Sequence, residues 1–114
     1  DLGLRHAIIG YRDNDIAGIL ENVVYLELLR RGYSVKIGKQ GAAEVDFVAD
    51  KGSDRLYVQV CYVLTPENTE REFAPLEAIS DNYEKIVVST DRLISFNRGG
   101  IKQKNILDFL LEKR

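Results

Sequence analysis

Cysteine, proline and histidine are scarce in this sequence of 114 residues, which has one cysteine, two prolines and one histidine. A single cysteine excludes an internal disulfide framework and a cysteine-rich zinc site, and it suits a reducing compartment such as the cytoplasm. Because the prolines are confined to Pro66 and Pro75, no proline-rich linker divides the chain. Apolar runs are also short, and none approaches the roughly 20 residues of a membrane span. We therefore expect no membrane partner.

Neither sign of charge dominates, since the chain has 16 basic and 18 acidic residues and a net charge of −2. Hydrophobic residues make up 45% of the chain and charged residues 30%, which is typical of one globular domain over residues 1–114. Binding to DNA would therefore need a local basic patch. Two groups of residues are candidates for such a patch: Arg30, Arg31, Lys36 and Lys39, and then Arg92, Arg98, Lys102 and Lys104. Because acids are equally abundant, ordinary solvated surface is the stronger expectation for both groups.

The first third of the chain predicts helices followed by a short strand. The predicted elements are a helix over residues 2–9 that ends at Gly10, a helix from residue 14 or 15 through 31, a strand over 33–37 and a turn over 38–41. Gly32 follows the long helix as its stop signal. The chain begins at Asp1 without a methionine, so we expect it to be a fragment of a longer protein.

Alternation of apolar and polar residues then predicts a β-hairpin, with strands over 44–50 and 55–64 and a turn over 51–54. In the first strand Val45, Phe47 and Ala49 should share one face. The remaining elements are a helix over 67–80, a buried strand over 85–90, a loop over 92–100, and a strand from 101 that leads into a terminal helix through 111. This order predicts an α/β (α+β) domain with a mixed central sheet of about four to five strands flanked by helices.

Four residues on these elements form a candidate site. Glu21 lies on the long helix, Asp46 on the first hairpin strand, and Gln59 and Cys61 on the second, where their spacing of two points them the same way. Carboxylates brought together from a helix and two strands suit Mg²⁺, which takes oxygen ligands in octahedral geometry. A metal so held supplies hydroxide and neutralises developing charge on a phosphate, and a lysine would assist.

This pattern resembles the PD-(D/E)XK nucleases, and the surroundings of Glu21 and Gly32 are similar to those of archaeal Holliday-junction resolvases. In that resemblance Glu21 matches the helical acid, Asp46 the motif aspartate, Gln59 the second acid and Cys61 the lysine. The chain departs from the pattern at the last two positions. Gln59 offers one neutral oxygen, and Cys61 is a short, soft ligand unsuited to Mg²⁺. Since one lost electrostatic group typically lowers the rate roughly 10²–10³-fold, the resemblance implies a degenerate, non-catalytic site.

A closer resemblance covers nearly the whole chain, through residues 1–5, 18–28, 44–48, 57–62, 70–76 and 100–111. In these segments the chain is similar to the uncharacterised nuclease-fold domain at the C-terminus of prokaryotic AAA-type ATPases. Members resemble it in having Gln for the second acid and a small residue for the lysine. The resemblance implies a restriction-endonuclease-like core, a preceding P-loop ATPase domain that would bind ATP, and a winged-helix segment. No GxxxxGK(S/T) motif occurs in the chain itself.

Ordinary structural roles compete with each functional interpretation. Glu21 could be a metal ligand or a plain helix-surface residue, and Asp46 could be part of a polar site or a solvated strand residue. Glu27 lies near the middle of the apolar helix face, so pairing with an arginine or a backbone amide is expected. Gln59 is expected to form hydrogen bonds within a half-buried face. Cys61 is expected to be a small buried hydrophobe.

Three functions remain open on the sequence alone. The first is a degenerate nuclease-fold module of an ATPase that engages DNA or regulates the motor. The second is an active Mg²⁺-dependent DNA endonuclease that uses Glu21 and Asp46, with Glu44 as a further acid. The third is a protein-interaction module that packs on its own ATPase domain or on another protein. The sequence does not set the oligomeric state.

Overall fold

A computed structural model describes residues 13–38, 45–92 and 97–112. The helices are α1 (Asp13–Arg30), α2 (Thr69–Glu77) and α3 (Ile106–Leu111). The strands are β1 (Ser34–Ile37), β2 (Phe47–Lys51), β3 (Asp54–Val60), β4 (Glu84–Ser89), β5 (Asn97–Arg98) and β6 (Ile101–Asn105). The helix predicted over residues 2–9 and most of the turn predicted over 38–41 lie outside the described residues.

The six described strands form one mixed sheet in the order β1-β2-β3-β4-β6-β5. The first three strands pair antiparallel, whereas β3 with β4 and β4 with β6 pair parallel. The predicted mixed sheet flanked by helices is therefore confirmed. It is compatible with a restriction-endonuclease-like core. The parallel pair requires the chain to cross over between β3 and β4, and α2 makes that crossing.

Each face of the sheet has its own core. Helices α1 and α3 cover one face, where Leu20, Val24 and Phe109 pack on Val58 and Ile86. The opposite face packs against α2, with the following buried residues: Val45, Tyr57, Cys61, Phe73, Leu76, Val87 and Ile101. The sheet is thus buried on both sides, as expected where parallel strands are flanked by helices.

Strand β3 follows the predicted alternation. Leu56, Val58 and Val60 face α1, and Tyr57 and Cys61 face α2. The prediction that Val45 shares a face with Phe47 and Ala49 was wrong, because Val45 packs on the α2 side. Regular pairing in β2 begins only at Phe47, so the two-residue periodicity does not extend back to Val45.

The predicted ends of α1 and α3 are confirmed to within a residue or two. Helix α1 ends at Arg30, and Gly32 follows in the left-handed region with a φ of 93°. Asn105 is both the last residue of β6 and the N-cap of α3. Its side-chain oxygen accepts hydrogen bonds from Leu107 N at 2.9 Å and Asp108 N at 3.2 Å.

Other predicted segments differ from the structure as well, and the second hairpin strand, predicted over residues 55–64, ends at Val60. Helix α2 begins at Thr69 rather than residue 67, and in the turn before it Thr65 and Asn68 exchange hydrogen bonds through their side chains. The loop predicted over 92–100 contains β5, which pairs with β6 across a turn at Gly99 and Gly100. Both glycines have positive φ, as this tight hairpin turn requires.

A buried arginine joins α1 to α3. Arg31 is fully buried, its Nε lies 2.6 Å from the Glu27 carboxylate, and its guanidinium also donates to the Phe109 carbonyl and lies 4.4 Å from that ring centre. Glu27 also accepts two hydrogen bonds from the mostly exposed Arg30. The hydrogen bond from Arg30, together with that from Arg31, holds the pKa of Glu27 below its ordinary value against the opposing effect of burial. The expected pairing of Glu27 with an arginine is confirmed.

Within the described residues, no helix is both long enough and apolar enough to span a membrane.

Replacing Arg31 with alanine should lower the free energy of unfolding by about 3 kcal/mol, because a buried ion pair and the link to α3 are lost together. The matched control Arg30→Ala removes an arginine from the same glutamate at an exposed position and should lower it by less than about 1 kcal/mol. Urea unfolding followed by circular dichroism measures both. Equal losses in the two variants would contradict the role assigned to Arg31.

Candidate functional site

A cleft of about 600 Å³ opens at the C-terminal end of β3, between α1 and α2. All four predicted site residues line it, together with two charged residues of α2: Glu21, Asp46, Gln59, Cys61, Arg71 and Glu72. The convergence of the four positions, which the resemblance implied, is therefore present in the fold. Asp46, Gln59 and Cys61 are each buried, whereas Glu21 is half-buried at the edge of α1.

The segment that carries Asp46 is held against β1 by a close backbone approach. Gly38 N donates to Asp46 O at 3.1 Å. A Cβ at Gly38 would lie 2.3 Å from the Val45 carbonyl oxygen, so no other residue fits there without a backbone shift. Gly38 thus helps to fix the position of Asp46 just before β2.

The side chain of Gln59 connects two walls of the cleft. Its Oε1 accepts a hydrogen bond from Asp46 N at 2.9 Å, and its Nε2 donates to Glu72 Oε1 at 3.3 Å. Asp46 Oδ2 in turn accepts from Val60 N at 2.8 Å. We call these three hydrogen bonds the Gln59 bridge. They confirm the expectation that Gln59 bonds within a half-buried face, and they engage both polar atoms of its amide.

Helix α2 contributes two charged side chains that the sequence did not single out. Glu72 is mostly buried beside Gln59, while Arg71 is largely exposed with its Nε 3.7 Å from Glu72 Oε2. Helical periodicity could have indicated that Glu72 is partly buried, because residue 72 flanks the buried helix face formed by Phe73 and Leu76. Periodicity alone does not reveal which side chain across the sheet such a flanking residue meets.

Cys61 lies where the resemblance places a lysine. Burial, as the largest cause, and the nearby carboxylates of Glu72, Asp91 and Asp46 together raise the pKa of its thiol to about 12, against a smaller opposing effect of Arg71. The thiol is therefore neutral at physiological pH, neither a cation nor a nucleophile. The expectation of a small buried hydrophobe fits this environment.

Asp91 fixes one rim of the cleft. Its Oδ2 accepts hydrogen bonds from Leu64 N at 2.8 Å and from the Ser89 hydroxyl at 2.7 Å. The loop that follows β3 is thereby tied to the end of β4. This attachment holds Val63 and Thr65 at the mouth of the cleft.

A second cleft, of about 420 Å³, lies on the other side of Glu21 and Asp46. Both acids line it as well, and its remaining walls come from α1 and the ends of β1 and β2: Gly18, Asn22, Tyr25, Ile37 and Phe47. Glu21 and Asp46 therefore stand between a polar cleft toward α2 and a more apolar one along α1.

The donor set does not fit the Mg²⁺ that the nuclease resemblance implies. Gln59 is held by the Gln59 bridge, and Asp46 commits one carboxylate oxygen to Val60 N. Across residues 13–38, 45–92 and 97–112, no group of three or more acidic, histidine or cysteine side chains lies close enough to hold a metal ion. The predicted ligands Glu21 and Asp46 share the cleft, and Glu44 and Lys39 lie outside the described residues.

Four of the seven described members of the two predicted basic groups are paired with acids. Arg31 is buried and is no part of a basic rim, which corrects that prediction, and Arg30 pairs with Glu27. In the second group Arg98 pairs with Glu70 and Glu77, and Lys104 with Glu84 and Glu112. The remaining described members, Lys36, Arg92 and Lys102, are exposed.

The Gln59 bridge predicts the effect of restoring an acid. In Gln59→Glu a carboxylate oxygen would replace the amide nitrogen that now lies 3.3 Å from Glu72, so the variant should lose about 1–3 kcal/mol of stability at pH 7. Repulsion raises the pKa of a paired carboxyl in the folded state, so the loss should shrink as the pH falls.

Adding Glu72→Gln to the Gln59→Glu variant puts an amide donor opposite the new carboxylate. The double variant should therefore recover most of the lost stability. Urea unfolding of the two single variants and the double variant measures the coupling. Additive effects, or a loss in Gln59→Glu that does not change with pH, would contradict the bridge.

The raised pKa of Cys61 predicts slow chemical modification. Relative to its ordinary value of 9.0, a pKa of about 12 leaves the thiolate scarce at pH 8. Iodoacetamide should therefore alkylate native protein at least about 10³-fold more slowly than urea-unfolded protein. Mass spectrometry over time measures the two rates. Comparable rates would show that the thiol is accessible and ionised.

Comparison with known proteins relates the chain to two longer proteins. It is 44% identical over 112 residues to an uncharacterised protein of Haemophilus influenzae, covering 98% of the chain and 28% of that protein. It is 37% identical over 95 residues to an uncharacterised protein of Methanocaldococcus jannaschii, covering 79% of the chain and 21% of that protein. The chain thus spans about a quarter of the length of the curated relatives it matches. No family model matches it.

Proposed function

We propose that the chain is a degenerate, non-cleaving nuclease-fold module of a larger cytoplasmic P-loop ATPase, and that it regulates the motor through protein contacts. The Gln59 bridge is the observation that carries this proposal. At the position of the second acid, both polar atoms of the side chain are bonded within the protein. A metal that took Gln59 Oε1 as a ligand would compete with the hydrogen bond from Asp46 N, a buried donor whose partner it would weaken.

The position of the catalytic lysine supports the same conclusion. Cys61 is buried and neutral there, so it brings no positive charge to a phosphate. Arg71 is the nearest cation that lines the described part of the cleft, but its side chain is 75% exposed and lies beside Glu72. A flexible, screened arginine contributes much less electrostatic stabilisation than a fixed donor in a water-excluded site.

Charge distribution favours regulation through protein contacts over engagement of DNA. Glu21, Asp46 and Glu72 line the cleft against Arg71, so the described cleft carries an excess of negative charge that repels phosphate. Of the seven described members of the two basic groups, four are paired with acids, which leaves Lys36, Arg92 and Lys102 as the exposed ones. In the two relatives the matching part is a minor share of a longer protein, which suits a module that acts on the rest of its chain.

Nicking of supercoiled plasmid with Mg²⁺ or Mn²⁺ tests the proposal. The protein should not cut, and Asp46→Ala should leave that result unchanged. Binding to labelled duplex and branched DNA should also be absent at both low and moderate salt. Metal-dependent cutting that Asp46→Ala removes would establish the Mg²⁺ endonuclease instead, and salt-sensitive binding without cutting would establish engagement of DNA.

A variant with the nuclease residues restored tests whether the two substitutions account for the absence of a metal site. The double variant Gln59→Glu, Cys61→Lys restores the acid and the cation that the nuclease pattern requires, and Mg²⁺ would relieve the repulsion between the introduced carboxylate and Glu72. We expect Mg²⁺ to raise the Tm of this variant but not that of the parent. An equal rise in both would show that the parent already binds the ion.

A further inference from the structure

Arg98 of β5 lies across one side of α2. Its Nη2 donates to the Glu70 carboxylate at 2.8 Å, and its Nε donates to Glu77 Oε2 at 3.1 Å. The guanidinium carbon also lies 6.0 Å from the centre of the Phe73 ring, within the range of a cation–π contact. Residues 70, 73 and 77 are three and four positions apart, so they form one row along the helix. We call these three contacts the Arg98 latch.

The other side of α2 is a wall of the cleft between α1 and α2. Arg71, Glu72 and Pro75 line that cleft. With about 3.6 residues per turn, they lie on roughly the opposite side of the helix from the row that Arg98 contacts. Helix α2 is therefore attached on one side by Arg98 and on the other by the hydrogen bond between Glu72 and Gln59.

Helix α2 has little local stabilisation of its own. It has nine residues, and isolated helices shorter than roughly 12 residues are marginal. The side-chain oxygen of its N-cap residue, Asn68, accepts a hydrogen bond from the preceding turn rather than from the first turn of the helix. Pro75 has no N–H to donate to the Arg71 carbonyl. Glu77 puts a negative charge at the negative end of the helix dipole, and Arg98 offsets that charge.

Cys61 is covered by α2. It is buried in the same cluster as Phe73 and Leu76, and it also lines the cleft. Burial is the main reason that its thiol is neutral and unreactive. Movement of α2 away from the sheet would therefore make this thiol accessible, so its rate of alkylation reports the position of the helix.

We propose that α2 is a movable wall of the cleft and that the Arg98 latch determines how often this wall opens. In the closed position Glu72 bonds to Gln59 and Cys61 is covered, whereas opening breaks the first contact and exposes the thiol. Elements with low local stability supply the parts of a protein that move. Both ion pairs of the latch are near the surface, so dissolved salt should weaken them and favour the open cleft. This inference concerns access to the cleft and does not depend on the proposed function.

Alkylation of Cys61 by iodoacetamide in the full 114-residue chain measures the opening. Arg98→Ala should raise the rate roughly threefold to tenfold, because two exposed ion pairs and a cation–π contact are lost from the closed position. The matched control Lys102→Ala removes an exposed charge of the same sign from the neighbouring β6 and should leave the rate unchanged. Equal rates in the two variants would overturn the proposal.

Urea separates movement of α2 from unfolding of the whole chain. Local opening exposes little surface, so the alkylation rate should hardly change with urea below the unfolding transition, whereas complete unfolding would give a steep increase. We expect Arg98→Ala to raise the part of the rate that does not depend on urea. A rate that rises steeply from the lowest urea concentrations would show instead that Arg98 stabilises the whole fold.

Salt and a second variant test the ion pairs themselves. Sodium chloride should speed alkylation of the parent chain but not of Arg98→Ala. The double variant Glu70→Gln, Glu77→Gln keeps Arg98 and should reproduce the effect of Arg98→Ala, and combining all three substitutions should give no further rise. Circular dichroism verifies that each variant is folded. Equal salt effects in the parent and Arg98→Ala would contradict the latch, whatever the nicking assay shows.

Discussion

The hydrogen bonds made by Asp46 determine how the candidate site is built. Its backbone N–H is bonded to Gln59 and its carboxylate to the backbone of Val60, so the segment before β2 is attached to the end of β3 at two points. The cleft floor, the separation of the two clefts and the position of Glu72 all follow from this attachment. Because these groups are buried, leaving any one of them without a partner would be unfavourable, and the arrangement is accordingly rigid.

That rigidity bears on the chemistry. A nuclease site of this layout needs free carboxylate oxygens around a metal and a cation beside the phosphate. In this chain one carboxylate oxygen of Asp46 accepts a hydrogen bond from Val60 N and both polar atoms of the Gln59 amide are bonded internally, while the thiol of Cys61 is kept neutral by burial and by surrounding acids. Under the proposed relationship to nucleases, the cleft keeps the arrangement of the helices and strands but not the cation beside the phosphate. A scaffold of this kind can still present a shaped, charged surface to another protein.

The sheet and the walls of the cleft could be predicted from the sequence, because both depend on the periodicity of apolar and polar residues. Alternation in β3 fixed the directions of Gln59 and Cys61, and the helical spacing of α1 brought Glu21 to the same side. It failed for Val45, which lies where regular strand pairing has not yet begun. The sequence also did not predict the contact between Glu72 and Gln59, because that contact depends on the position in which α2 packs on the sheet. The burial of Arg31 was missed for the same reason, since one of its partners, Phe109, lies on α3, far along the chain.

The state of the Gln59 side chain in the presence of a divalent cation is the most direct measurement of the central claim. Nuclear magnetic resonance of ¹⁵N-labelled protein resolves the Gln59 side-chain amide and the Asp46 backbone amide, and titration with paramagnetic Mn²⁺ broadens any nucleus close to a bound ion. We expect both resonances to stay sharp and to remain protected from solvent exchange. Selective broadening of the two at low Mn²⁺ would contradict the account, because it would place a metal where the structure has an internal hydrogen bond.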